Sequence, residues 1–175
     1  MKVGPRLIAR IALFSALIYV LSWGTSFLPN VSLAFFVAFA AGYLMGVIPG
    51  VLTGAIGMWL FTSMNPFGPA VPPVAAAQVI GLAGSGLIGG LVGRGRASQS
   101  DTPPGSIPLV LCSLACTVVY YLPVTVIDAW FAQPFWPRLI GGLPYVAVSI
   151  AANAIIFPLL FPVTVRINRL RKGDR

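Results

Sequence analysis

The feature that most constrains this chain is a long stretch without ionisable side chains. Between Arg10 and Arg94 the sequence contains no Asp, Glu, Lys, Arg or His. Over the whole chain only 8% of the residues are charged, whereas an ordinary soluble domain has about 25%. One bilayer crossing needs only about 20 consecutive apolar residues, so this stretch is long enough for several crossings. The sequence therefore predicts an integral membrane protein.

Apolar runs separated by proline, glycine and polar residues divide the chain into six predicted helices. We expect one all-α transmembrane domain over residues 1–175, with spans near residues 8–28, 32–48, 51–64, 74–93, 107–127 and 141–166. The boundary between the second and third spans falls at Pro49 and Gly50. Residues 94–106 form a hydrophilic loop. Because the third run is short, residues 46–73 form either two full spans or a re-entrant pair.

The eleven basic residues lie mostly at the ends of the apolar runs, where they indicate topology. With six spans and the N-terminus in the cytoplasm, every basic residue except Arg138 falls on the cytoplasmic side. We therefore predict a multi-pass protein with both termini cytoplasmic. These residues also attract anionic lipid headgroups. They form no patch with interleaved aromatic residues, so nucleic acid is not an expected partner.

The residue types on which most catalytic sites depend are scarce. The chain has no His and no Glu, and Asp128 is the only acid beside an apolar run. Catalytic triads, carboxylate pairs and phosphate-binding GxxxxGK[ST] loops therefore lack their parts. Cys112 and Cys116 have no His or second cysteine pair to complete a metal site. We predict a protein that is not an enzyme and that has no metal or cofactor.

Neutral polar and aromatic residues lie towards the outer ends of the predicted spans. An amide inside a span needs a hydrogen-bond partner, which is either a neighbouring helix or a ligand. The candidates for ligand contact are Asn65, Gln78, Tyr121, Asp128, Trp130 and Asn153. All except Asn153 are predicted on the same side of the membrane. We expect a neutral, aromatic outward pocket with one carboxylate at its mouth, suited to a ring-containing small molecule rather than an ion.

Glycines recur every four residues in the predicted helices. In lipid, small residues let helix backbones approach closely. The pattern comprises Gly42, Gly46, Gly50 and Gly54, and in the fourth span Gly86 with Gly90 and Gly89 with Gly93. It predicts either packing within one bundle or association between copies of the chain.

Three segments carry a resemblance to a known family. Residues Ala12 to Ala16 (ALFSA) are similar to an AxxxA docking motif, and Gly46 to Gly57 (GVIPGVLTGAIG) resembles a glycine-rich region between two helices. Asn65 to Pro69 (NPFGP), followed by Gln78, completes the set. Together with the chain length and the six-span plan, they resemble the S components of energy-coupling factor (ECF) transporters, which capture vitamins and related micronutrients.

The resemblance implies a substrate-binding subunit of an ATP-driven importer in the bacterial plasma (inner) membrane. In that family an outward pocket holds the substrate, which places the six candidates named above as ligand contacts. Ala9, Ala12 and Ala16 would then dock a transmembrane coupling subunit. The coupling subunit and two cytoplasmic ATPase subunits would drive a reorientation that delivers the substrate. No motif selects one vitamin.

Two other functions remain open from the sequence. One is a non-catalytic membrane assembly protein that oligomerises through its glycine-rich faces. The other is a stand-alone small-molecule transporter. The second is disfavoured because ion coupling normally needs titratable groups within the membrane or an internal repeat, and the sequence has neither in recognisable form.

Overall fold

The protein is all-helical over residues 4–96 and 104–173, which are the residues that the computed structural model describes. The helices are α1 (Pro5–Thr25), α2 (Ala34–Met45), α3 (Val47–Ser63), α4 (Pro72–Arg96), α5 (Ser106–Phe131) and α6 (Phe135–Gly173). The described residues contain no strand. The predicted all-α class is confirmed.

Four of the helices are long and apolar enough to cross a membrane. They are Pro5–Thr25, Pro72–Gly95, Ser106–Phe131 and Phe135–Leu170, each with a mean hydropathy of 1.6 or more. Helices α2 and α3 are apolar but have only 12 and 17 residues. At about 1.5 Å per residue they are shorter than the hydrocarbon core of about 30 Å. The fold is compatible with an integral membrane protein.

The break between α2 and α3 lies at Gly46, not at the expected Pro49 and Gly50. Gly46 has φ 97°, a conformation that side chains disfavour and glycine adopts readily. Pro49 and Gly50 lie in the first turn of α3. A proline is tolerated there because the amide groups of a first turn have no partner within the helix.

Helix α2 is the centre of the bundle and packs against all five of the other helices. Its side chains are buried on every face, from Ala34 to Gly42 and at Leu44. Aromatic rings join it to α6: the Phe39 and Phe157 centroids lie 5.2 Å apart, and those of Tyr43 and Phe161 also 5.2 Å. A helix that is apolar all round belongs in such a central position.

Glycines bring α2, α3 and α4 into backbone contact. A Cβ atom on Gly42 would lie 2.0 Å from the Gly86 carbonyl oxygen, and one on Gly86 would lie 2.1 Å from that of Gly50. On Gly90 it would lie 2.5 Å from the Val47 Cα. The glycine faces that the sequence left open to two interpretations are therefore used for packing within one chain.

Candidate functional site

A cavity of about 190 Å³ opens at the end of the bundle where α1 and α3 end. Its walls come from the last turns of α1, residues 26–33 and the start of α2. The second half of α3, Phe67 and the facing sides of α4 and α5 complete them. The lining residues are Ser22, Thr25, Ser26, Leu28, Asn30, Val31, Ser32, Ala34, Phe35, Met58, Phe61, Phe67, Leu82, Tyr120 and Tyr121. None of them is charged. Aromatic rings and hydroxyl groups make up much of the cavity wall.

Ser22 lies in this wall because of the helical repeat of α1. Ser15, Ile18 and Ser22 follow one another at three- and four-residue spacing and form its buried face. Ser15 Oγ donates to the Thr53 carbonyl oxygen at 3.3 Å, and Ile18 packs where Gly57 has no side chain. The α1–α3 contact thus directs Ser22 towards the cavity, one turn before α1 ends.

Asn30 ties the 26–33 segment to α5 and α6. Its Oδ1 lies 2.9 Å from the Tyr121 hydroxyl, its carbonyl oxygen accepts from Ser149 Oγ at 2.7 Å, and Ser149 Oγ lies 2.7 Å from the Tyr121 hydroxyl. Two hydroxyl protons serve these three contacts. Turning the Asn30 amide over would supply the third proton from its NH2 group. This network holds the segment over the cavity.

Three aromatic rings form one wall. The Phe35 centroid lies 5.0 Å from that of Tyr120, edge to face, and 6.1 Å from that of Tyr121, stacked. Tyr120 reaches this position because α5 approaches α4 at Gly81, where a Cβ atom would lie 2.7 Å from the Tyr120 Cα. The wall therefore presents both ring edges and ring faces, and contacts of these kinds stabilise a planar ligand.

Some polar groups of the lining are already satisfied by the protein. The Thr25 and Ser26 hydroxyls donate to the carbonyl oxygens of Leu21 and Ser22, at 2.9 and 2.6 Å. Ser32 Oγ accepts from the Ala34 amide at 3.2 Å. Within the described chain, the hydroxyl protons of Ser22, Ser32 and Tyr120 have no acceptor. These three groups are free to donate to a ligand.

Of the six predicted contact residues, Tyr121 lies in the cavity wall. Gln78 accepts from the Thr62 hydroxyl at 2.6 Å and joins α4 to α3. Asn153 donates to Thr117 Oγ1 at 3.0 Å and joins α6 to α5, with its own Oδ1 buried and unpartnered. Both amides have the helix-to-helix role that the sequence left as one of two alternatives, and neither lines the cavity.

The other three predicted residues lie outside the cavity. Asn65 Oδ1 accepts from the Phe67 amide at 2.9 Å and stabilises the turn after α3. Asp128 forms an ion pair with Arg138, 2.9 Å from Oδ2 to Nε, near the tip of the α5–α6 hairpin. Trp130 is 68% exposed and packs edge to face on Phe135.

The predicted docking alanines lie on α1 outside its buried face of Ser15, Ile18 and Ser22. Ala9, Ala12 and Ala16 are all exposed. They do not pack within the bundle, which was the alternative interpretation of their spacing. The face they form is small and apolar, and it leaves room for a second helix to approach α1 closely.

Residues that the sequence did not single out make up most of the cavity. Asn30 follows Pro29 in the gap between two apolar runs and has φ 56°, a conformation that Asn tolerates better than most residues. An Asn that directly follows a Pro between two apolar runs is the sequence signal for such a turn. Ser22 was recognisable by its spacing from Ser15 and Ile18, whereas nothing in the sequence marks Phe35 or Tyr120 as lining rather than core.

Comparison of the chain with protein-family models, with curated proteins and with solved structures found no match.

Proposed function

We propose that this chain is the substrate-capture subunit of an ECF-type importer, a six-span protein of the plasma membrane with both termini in the cytoplasm. The observation that carries the proposal is the cavity itself. It is an uncharged, hydroxyl- and ring-lined space at one end of a bundle. Apart from Arg138, the basic residues that the structure describes lie at the other end. Such a site suits capture of a small molecule on one side of a membrane and contact with partners on the other.

The distribution of charged and aromatic residues supports this orientation. Arg6, Arg10 and Arg94 lie at the start of α1 and the end of α4, away from the cavity. All four tryptophans, Trp23, Trp59, Trp130 and Trp136, lie near the helix ends at the cavity side. Tryptophan is enriched at membrane interfaces and basic residues on the cytoplasmic side. The cavity then faces outward.

The packing of α4 against the α2–α3 junction supports two full spans rather than a re-entrant pair. A Cβ atom on Gly93 would lie 2.6 Å from the Tyr43 carbonyl oxygen, and Gly90 approaches Val47 equally closely. The junction at Gly46 therefore lies beside the last turns of α4, next to Arg94. The junction therefore lies at the end of the bundle that carries the basic residues. In that position α2 and α3, although short, would each cross most of the membrane.

The first test asks whether the protein captures a small molecule. The chain is purified in mild detergent or nanodiscs, denatured, and the released molecules are identified by mass spectrometry. We expect one small molecule at close to one per chain in the wild-type protein. Ser22→Phe places a large ring in the cavity, so this variant should no longer retain the small molecule. If the purified wild-type protein retains no small molecule, the proposed capture function is wrong.

The second test concerns docking. Ala12→Trp places a bulky ring on the exposed small-residue face of α1, so it should block approach of a coupling subunit. We expect uptake in cells with the coupling subunit and ATPases to fall at least about tenfold, while binding by the isolated protein is unchanged. Leu111→Trp, on the exposed face of α5, is the matched control. Equal uptake by both variants would exclude a docking role for this face.

A further inference from the structure

The size of the cavity limits the ligand. A volume of about 190 Å³ is only somewhat larger than the roughly 150 Å³ of an engineered protein cavity that binds benzene. A space of that volume holds one six-membered ring with a few small substituents. The wall of aromatic rings from Phe35, Tyr120 and Tyr121 favours a flat ring over a branched aliphatic group.

The charge of the lining limits the ligand further. None of the fifteen lining residues is ionised. The charged groups nearest in sequence to the Tyr120–Tyr121 wall are Asp128 and Arg138, and these are paired with one another at an exposed position. A carboxylate, phosphate or ammonium group inside the cavity would lose its hydration without gaining a counter-ion, which is costly in a desolvated site.

The free hydrogen-bonding groups define what the ring must carry. Ser22 is only 4% exposed and lines the cavity, yet its hydroxyl proton has no acceptor in the described chain. The Ser32 and Tyr120 hydroxyls add two more donors. A ligand with acceptor atoms satisfies all three donors, and in a site without a counter-ion these acceptors are neutral groups such as carbonyl oxygens or ring nitrogens.

We infer that the cavity binds an uncharged, single-ring heteroaromatic molecule bearing a carbonyl or another neutral acceptor. This inference rests on the proposed capture function and narrows its substrate class. It excludes ligands that carry a permanent charge within the cavity, and it excludes fused polycyclic ligands.

The test uses matched probes on the full chain in lipid nanodiscs, with binding followed by native mass spectrometry and calorimetry. For benzene, pyridine and pyrimidine rings, the carboxamide is compared with the carboxylate and with the aminomethyl compound. Quinoline carboxamide and pterin serve as fused-ring probes. We expect at least one single-ring carboxamide to bind, and to bind at least about tenfold tighter than its two ionised partners and than both fused-ring probes.

Ser22→Ala and Ser113→Ala provide the matched pair of variants. Both serines are buried in helices, but Ser113 Oγ donates to the Val110 carbonyl oxygen and lies outside the cavity. Ser22→Ala should weaken carboxamide binding by about threefold to tenfold, the effect of one lost neutral hydrogen bond. Ser113→Ala should leave binding unchanged.

The outcomes separate this inference from the proposed function. Tight binding of a carboxylate, an ammonium compound or a fused-ring molecule overturns the ligand class and leaves capture intact. Carboxamide affinity that Ser22→Ala does not alter overturns the assigned contact. If no probe binds, the ligand class is wrong, and whether capture also fails is decided by the small molecule retained through purification.

Discussion

Asn30 combines two roles that substitutions can separate. Its backbone turns at φ 56°, where an ordinary L-residue costs about 1 kcal/mol or more. Its side chain and carbonyl oxygen contact Tyr121 and Ser149, which lie on two different helices. The turn requires a tolerant backbone, whereas the bond to Tyr121 requires the side-chain amide.

Replacement of Asn30 by Gly and by Ala distinguishes these roles. Asn30→Gly keeps the turn and removes the amide, so we expect near-normal thermal stability with ligand affinity reduced by up to about tenfold, one lost hydrogen bond. Asn30→Ala loses both and should also unfold at a lower temperature. Thermal unfolding and calorimetric titration measure the two effects. Wild-type affinity in Asn30→Gly would show that the amide does not organise the cavity.

The sequence predicted few of the residues that line the cavity. It predicted a neutral, aromatic pocket with one carboxylate at its mouth. The lining residues are uncharged and include aromatic rings, whereas the Asp128 carboxylate lies outside the cavity, paired with Arg138. It selected amides by their position within spans, yet Gln78 and Asn153 bond to neighbouring helices. Whether a polar side chain faces a helix or a cavity depends on helix rotation and on the packing of distant segments. A single sequence contains little information about either.

Among the elements, α4 depends most on the absence of side chains. Gly86 contacts Gly50, and Gly89 contacts Phe39, where a Cβ atom would lie 2.0 Å from the carbonyl oxygen. Such contacts bring the backbones of α2, α3 and α4 close together, so dispersion attraction acts between them. Overpacking this interface should therefore be costly.

Gly86→Ala tests the closeness of these helices against a matched substitution. A Cβ atom at Gly86 would lie 2.1 Å from the Gly50 carbonyl oxygen, whereas one at Gly24 in α1 meets nothing within 4 Å. We expect Gly86→Ala to lower the free energy of unfolding by about 1–3 kcal/mol. Gly24→Ala should leave it unchanged or raise it slightly. Titration with a denaturing detergent measures both, and equal stability would contradict the packing.

Helix existence was predictable from the sequence, but helix ends were less so. Apolar runs bounded by proline and glycine predict each of the six helices that the described residues form. Pro49 drew the predicted boundary because proline breaks helix interiors. In the first turn of α3 it breaks nothing, and the actual break is at Gly46, where φ is 97°. Position within a helix decides what a proline does, and that position depends on the fold.

At the scale of the whole molecule, the two ends of the bundle differ in chemistry. One end has the cavity and the tryptophans, and the other has Arg6, Arg10, Arg94, Arg166 and Arg169. The six-span arrangement requires the 64–71 segment and the start of α5 to lie on opposite sides of the membrane. With the proposed orientation these five arginines would lie in the cytoplasm, where the positive-inside bias favours them.

Cysteine labelling in intact cells tests this orientation. Val71→Cys lies in the exposed segment before α4, and Ser106→Cys lies at the exposed start of α5. A membrane-impermeant maleimide should label Val71→Cys in intact cells and Ser106→Cys only after permeabilisation. The wild-type chain, whose Cys112 and Cys116 lie within α5, gives the background. The reverse pattern would place the cavity in the cytoplasm, where it could not capture an external substrate, and labelling of both sites in intact cells would contradict the six-span arrangement.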